Sequence, residues 1–282
     1  MRERERMTTK GMHDAWGNAW RSAGRHWEKI APALRSATGW KIWNPGIYGE
    51  RWHARFRRRY PPQDHPLLIF GLNPGPYGMA QTGIPFTDLR RLVALLPELA
   101  LELRDSGEAV EVPGLAPADL RPFLARSFES SAVRVYRFLE RGWGSAERGW
   151  SDVVVANPCT LLFIDPVMGR NRTPADLGHA ARAGPNGAAL ARSLGEESDR
   201  LRVLCATDAV EALDPRGVIL LGKDVQGALG PALLRLLGER KVIPWEHPAR
   251  AVPETWAGGL LSAVRSRAVG KRAPRRGGRV RK

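Results

Sequence analysis

Apolar residues recur at spacings of three and four through residues 13–35. Trp16, Trp20, Ala23, Trp27, Ile30 and Leu34 fall on one face of a predicted helix. An aromatic stripe of this kind is core packing rather than a binding surface. Short, unbroken apolar runs obey a different rule. Leu67–Leu72, Val153–Ala156, Gly217–Leu221 and Lys241–Trp245 read as strands buried on both faces. Helical patterns lie between and after them, over 88–104, 118–140, 174–213 with a break at Gly184-Pro-Asn-Gly187, 224–240 and 253–267. Pro174 directly after Thr173 is helix-start chemistry. Strands alternating with helices predict an α/β fold, a parallel sheet covered on both faces. The stretch Trp40–Tyr60, with Asn44-Pro45-Gly46, reads as turn-rich, and its basic run Arg55-Phe-Arg-Arg-Arg59 as a solvated face. The doublet Glu-Arg-Gly-Trp at 140–143 and 147–150 reads as a Gly/Trp loop.

Composition narrows the class. The 282 residues are 43% hydrophobic and 26% charged, ordinary globular values that exclude collagen-like, wholly disordered and coiled-coil chains. Two cysteines, Cys159 and Cys205, without a CxxC or a zinc-spaced histidine, exclude a disulfide scaffold and a cysteine-held metal cluster. No signal peptide or membrane span is read, and a reducing compartment is the resulting expectation. Charge is uneven. Nine of the 44 Lys and Arg lie from Arg265 onward with no acid among them, which leaves +6 of the +15 on residues 1–264. A basic tail on a basic body points to a polyanion, nucleic acid above all.

In open α/β sheets ligands bind beyond the carboxyl ends of the strands. The residues just after each predicted strand are therefore informative. Asn73-Pro74 with a glycine-rich loop comes after the first, Asn157-Pro158 after the second, Gly222-Lys223 after the third and His247-Pro248 after the fourth. Proline fixes its own φ and holds the preceding residue extended, which stiffens the mounting of Asn73, Asn157 and His247. No P-loop, dinucleotide fingerprint or nucleophile elbow succeeds a strand. Such a rim suits reading a heterocycle edge and stabilising an anion.

The segment Gly71-Leu-Asn-Pro-Gly-Pro-Tyr-Gly-Met-Ala-Gln-Thr-Gly-Ile-Pro-Phe86 closely resembles the first motif of the single-strand-selective monofunctional uracil-DNA glycosylases, within the uracil-DNA glycosylase superfamily. Trp43–Tyr48, Val155–Phe163, Gly169–Pro174 and His247-Pro248 resemble further family segments, so that the likeness spans about Trp40 to Leu260. It implies a three-layer α/β/α sandwich around a central four-stranded parallel sheet, and hydrolysis of the N-glycosidic bond of damaged bases without metal or cofactor. By motif position, Asn73 resembles the residue that positions the attacking water and His247 the donor to the departing base. Phe86 resembles the stacking platform and Asn157 the reader of the uracil edge. Gly71, Leu72, Gly75 and Met79 complete the expected base pocket, Gly75 and Met79 facing the 5-position. Arg170, Arg172 and Arg250 are the expected DNA contacts. One departure stands out. After His247-Pro248 the family carries a Ser-Pro-Arg-Asn wedge, where this chain reads Ala249-Arg-Ala-Val-Pro253.

The residue chemistry agrees with that assignment. An amide has no basic lone pair and can only orient water. This suffices if the bond breaks before water attacks, and catalysis then falls on stabilising an anionic leaving base. Three readings stay open: excision of uracil and 5-substituted uracils from single-stranded and duplex DNA; the same fold acting on deaminated purines; and a non-catalytic nucleic-acid-binding protein. The expected organisation is an N-terminal amphipathic helical extension over 1–39, a catalytic domain over 40–264 and a basic tail over 265–282. A monomer is expected that binds DNA and no membrane, in the cytoplasm at the nucleoid of a bacterium or in a eukaryotic nucleus.

Overall fold

A computed structural model describes residues 9–105, 128–177, 187–250 and 252–267. The strands are β1 (Lys41–Trp43), β2 (Leu67–Phe70), β3 (Val153–Ala156), β4 (Leu162–Ile164), β5 (Asn171–Arg172), β6 (Gly217–Leu221) and β7 (Val242–Trp245). The helices are α1 (Thr9–Thr38), α2 (Pro45–Tyr48), α3 (Glu50–Arg59), α4 (Met79–Thr82), α5 (Leu89–Leu95), α6 (Pro97–Asp105), α7 (Ser130–Trp143), α8 (Ala146–Asp152), α9 (Gly187–Leu213), α10 (Lys223–Leu237) and α11 (Pro253–Ser266).

The apolar runs become the central sheet, four parallel strands in the order β3-β2-β6-β7. Strand alternation divides their side chains between two cores. Leu67, Ile69, Val153, Val155, Ile219 and Ile243 pack with α3, α5, α7, α8 and α11 on one face. Leu68, Phe70, Val154, Val218, Leu220 and Val242 pack with α1, α9 and α10 on the other. The chain is thus an α/β/α sandwich, as expected. The α1 stripe serves both the second core, through Trp16 and Trp20, and a further cluster in which Trp27, Ala31 and Leu34 meet Trp40, Phe163 and Leu201.

Several local readings are corrected. The 88–104 helix is two helices: Leu96 ends α5 and Pro97, which lacks an N–H, starts α6. The turn-rich segment contains α3, whose Arg57 is buried and donates to the Trp150 carbonyl at 3.2 Å. Burial pulls the Arg57 pKa down to about 9, so this part of the basic run belongs to the interior rather than to a solvated face. Glu140–Trp143 and Glu147–Trp150 lie on α7 and α8 rather than in a loop, and Trp150 is buried. A second, antiparallel sheet, β1-β4-β5, was not foreseen. The predicted helix start at Pro174 is a single turn, Pro174–Asp176, with Asp176 accepting from the backbone and hydroxyl of Thr173. The part of the 118–140 prediction before Phe128, the Gly184–Gly187 break up to Asn186, and the tail from Ala268 on lie outside the described residues.

β7 forms one edge of the central sheet. There Arg267, at the end of α11, donates to the Glu239 carbonyl at 3.2 Å and to the Val242 carbonyl.

Candidate active site

The loops after β2, β3, β6 and β7 gather at the carboxyl end of the sheet. The side expected to read the base is built around Gly71. Its Cα faces the Asn157 amide oxygen and the edge of the Phe86 ring, and a Cβ there would lie 2.5 Å from two ring carbons. Only glycine permits this approach. Asn157 is 5% exposed; its Nδ2 donates to the Met79 sulfur at 3.3 Å, and its buried Oδ1 has no hydrogen-bond partner among the described residues. Leaving a buried acceptor unpaired costs about 1–3 kcal/mol. Phe86 is buried at φ +53°, a left-handed backbone that an aromatic residue adopts only under constraint. The constraint is visible. Thr82 Oγ1 lies 2.8 Å from the Thr87 carbonyl and 3.2 Å from that of Ile84, and the Thr87 hydroxyl meets Tyr136 OH at 3.2 Å.

Asn157 is held from outside the sheet. Trp27 of α1 donates to the Pro158 carbonyl at 2.7 Å. Thr160 donates to Asn44 Oδ1 at 2.8 Å, and Asn44 Nδ2 bonds the Gly24 carbonyl and Glu28. Sequence reasoning missed this scaffold. The Asn44-Pro45 pair, a third copy of the Asn-Pro signature, was the one signal for it.

The opposite side of the site is less enclosed. Asn73 is half-buried, and its Nδ2 donates to the carbonyls of Arg172, at 3.2 Å, and Pro74, at 3.4 Å. Leu72 beside it is likewise half-buried. Its loop rests on Glu129, another residue not foreseen. A Cβ on Gly75 would lie 3.1 Å from Glu129 Oε1, and one on Gly78 would overlap Oε2. Burial, reinforced by the Asp88 carboxylate, outweighs the Ser131 hydroxyl and Arg91 and raises the Glu129 pKa to about 7.

His247 is exposed just beyond β7. Its mounting is fixed on both sides. Gly222, at φ +89°, packs against the imidazole and donates to the Trp245 carbonyl at 2.9 Å, and Trp256 donates to the Glu246 carbonyl at 3.1 Å. The Ala249 N–H donates to His247 Nδ1 at 3.2 Å. A nitrogen that accepts carries no proton, so the neutral ring bears its N–H on Nε2.

Of the expected DNA contacts, Arg170 is exposed at the tip of the β4–β5 hairpin, and Arg250 closes a short turn, Pro248–Arg250. Arg172 is engaged within the chain, with Nη2 2.7 Å from Asp165.

A fold with its ligand rim at the sheet's carboxyl end, an amide beside an aromatic ring and a histidine just beyond the last strand defines a class, and comparison with known proteins identifies it. Residues 58–255 match the family model of the uracil DNA glycosylase superfamily. The chain is 34% identical over 234 residues to the single-strand selective monofunctional uracil-DNA glycosylase of Rattus norvegicus, covering 79% of this chain and 73% of that one. It is 29% identical over 219 residues to the Bos taurus protein of that name, covering 76% and 71%. The chain therefore belongs to the uracil DNA glycosylase superfamily and, within it, to the single-strand selective monofunctional family. The crystal structure of wild-type Pedobacter heparinus SMUG2 shares the fold, with a TM-score of 0.55 at 20% identity over 81% of this chain and 88% of that one.

Proposed function

We propose that this protein is a DNA base-excision repair glycosylase that hydrolyses the N-glycosidic bond of uracil and 5-substituted uracils in single-stranded and duplex DNA. The observation that carries the reading is the Asn157 amide, buried beside Phe86 with its Oδ1 unpartnered among the described residues. An amide offers an acceptor to the N3–H of uracil and a donor to O4, and the Phe86 ring offers a face on which the flipped base stacks. Met79 lies against the Asn157 amide, its sulfur 3.3 Å from Nδ2, on the side expected to face the base. Gly75, expected on the 5-position side, has the Glu129 carboxylate rather than open space beside its Cα.

The remaining roles rest on the geometry. Because the Asn73 Nδ2 is turned to backbone carbonyls, its Oδ1 is the atom that orients the attacking water. His247 donates from Nε2 to O2 of the departing base and works as a neutral hydrogen-bond donor, not as a general acid. In a site closed to water, one such donor is worth ~10²–10³-fold in rate. Arg170 and Arg250 contact phosphates and set register without reading sequence. The protein acts as a monomer, wherever the cell keeps its DNA.

The test is single-turnover excision from a uracil-containing single-stranded oligonucleotide, with the abasic product cleaved by alkali. Wild-type protein yields the cleaved strand. Asn73→Ala lowers the chemical step by at least ~10²-fold and leaves oligonucleotide binding nearly unchanged, because the interaction serves the transition state. Wild-type turnover by Asn73→Ala removes its assignment, and absence of cleavage by the wild type removes the glycosylase reading.

A further inference from the structure

The β4–β5 hairpin ends in an apolar tip that takes no part in base reading or hydrolysis. Val167 is 91% exposed and Met168 53% exposed, and Val167 is the most exposed large apolar side chain among the described residues. A mobile loop could shed such exposure, but this tip is held. Asp165 Oδ1 accepts the N–H groups of Val167, at 2.9 Å, and Met168, at 3.1 Å. Its carbonyl accepts from Gly169 at 2.8 Å, and its N–H donates to the Arg170 carbonyl at 3.0 Å. Gly169, at φ +60°, closes the turn in a conformation that side chains rarely adopt. Asp165 Oδ2 pairs with Arg172 at 2.7 Å.

The tip is also tied to the hydrolytic side of the site. The Arg172 carbonyl receives the Asn73 amide at 3.2 Å, and the Arg172 guanidinium reaches the Met168 sulfur at 3.5 Å. One residue therefore links the proposed water-positioning asparagine to the apolar tip. Asn171 adds a bond to the Pro74 carbonyl at 3.4 Å. Arg170 is exposed beside the tip, where a phosphate backbone would pass.

We propose that Val167 and Met168 form a wedge that enters the base stack of duplex DNA and fills the gap left by the extruded nucleotide. The inference rests on the glycosylase reading and adds to it a contact surface. Apolar wedges between base steps are a general device of DNA-bending proteins, and unstacking a step costs a few kcal/mol that the inserted side chains offset. A tip already fixed by its own hydrogen bonds loses little conformational entropy on insertion. Single-stranded substrate needs no wedge, because its base has no paired stack to leave.

The experiment compares wild type with a Val167→Ser/Met168→Ser double variant on one uracil sequence, single-stranded and duplex, at saturating enzyme. The double variant loses at least about tenfold in the duplex rate and stays within about twofold on the single strand, which also reports intact folding. In a duplex carrying 2-aminopurine beside the uracil, wild-type binding raises the probe's fluorescence and the variant fails to do so. This second readout needs no turnover, so it tests the wedge even if the glycosylase reading fails. Val252→Ser, the other strongly exposed apolar side chain close to His247 in sequence, leaves both rates within about twofold. The wedge is overturned by equal loss on both substrates, by an undiminished duplex rate, by duplex loss in Val252→Ser instead, or by wild type that neither cleaves duplex nor perturbs the probe.

Discussion

The two sides of the site are built differently. The proposed base-reading side is interior: Asn157 and Phe86 are 5% and 6% exposed, and the Asn157 loop is tied through Trp27, Thr160 and Asn44 to a helix 131 residues away in sequence. The proposed hydrolytic side is a rim. His247 is exposed and Asn73 half-buried, each placed by bonds that involve neighbouring backbone. On the proposed roles, recognition is set when the chain folds, whereas the groups proposed for hydrolysis lie at the surface. Substitutions on the rim are expected to cost rate without stability, and substitutions on the reading side to cost both.

His247→Ala gives the largest separation. The expected loss is about 3 kcal/mol of transition-state stabilisation, or ~10²-fold in the single-turnover rate. The melting temperature stays within about 1 °C of wild type, because an exposed side chain away from the core contributes little to stability. His247→Asn keeps an N–H and recovers part of the rate. The pH–rate profile of wild type shows no alkaline decline through the imidazole range. A tenfold loss per pH unit there, abolished in His247→Asn, makes the residue a general acid instead.

Trp27→Phe probes the other side. It leaves the Pro158 carbonyl without its donor, which costs about 1–3 kcal/mol of stability measurable by urea unfolding. A smaller fall in kcat/KM, of about tenfold or less, results from a less well-placed Asn157. If the rate falls as far as in His247→Ala while stability is unchanged, the contrast between the two sides fails.

The smallest expected effect on rate concerns Glu129, whose readout is stability against pH. Its folded pKa of about 7 lies above the ordinary value of 4.5. Between those values the unfolded chain releases the proton while the folded chain retains it, so stability falls as pH rises through that window and then levels off. Glu129→Gln removes the loss. Its melting temperature relative to wild type should therefore rise between pH 4.5 and 7 and remain higher at more alkaline pH. A difference that is flat with pH shows that the buried carboxyl does not titrate as its setting implies.

The central strands were legible because a strand buried on both faces must be an unbroken apolar run, and few other elements look that way. The rim residues were legible for a related reason: once the strands are placed, the residues after them are the ones that meet. The small sheet left no such trace, since β1, β4 and β5 have three, three and two residues, too few for any period to repeat. Arg57 misled because a charge run reads as solvated unless its partner, here a carbonyl 93 residues on, is known. Trp27 was read correctly as core, but its bond to the Asn157 loop could not be seen from helical spacing. The hairpin tip was hidden too, because full exposure of a valine is a property of the folded chain alone.

The guarded edge of the sheet has a consequence of its own. Along β7, the groups of Lys241, just before the strand, and of Trp245 face β6, where their carbonyls accept from Val218 and Gly222. By strand alternation those of Val242 and Pro244 face outward. Arg267 occupies the Val242 carbonyl, and Pro244 has no N–H to offer. An incoming strand, from a second molecule or a partly unfolded one, thus finds half of its usual pairing sites already taken or missing. Among the described residues, the border where the sheet could continue is thereby made a poor template for a further strand.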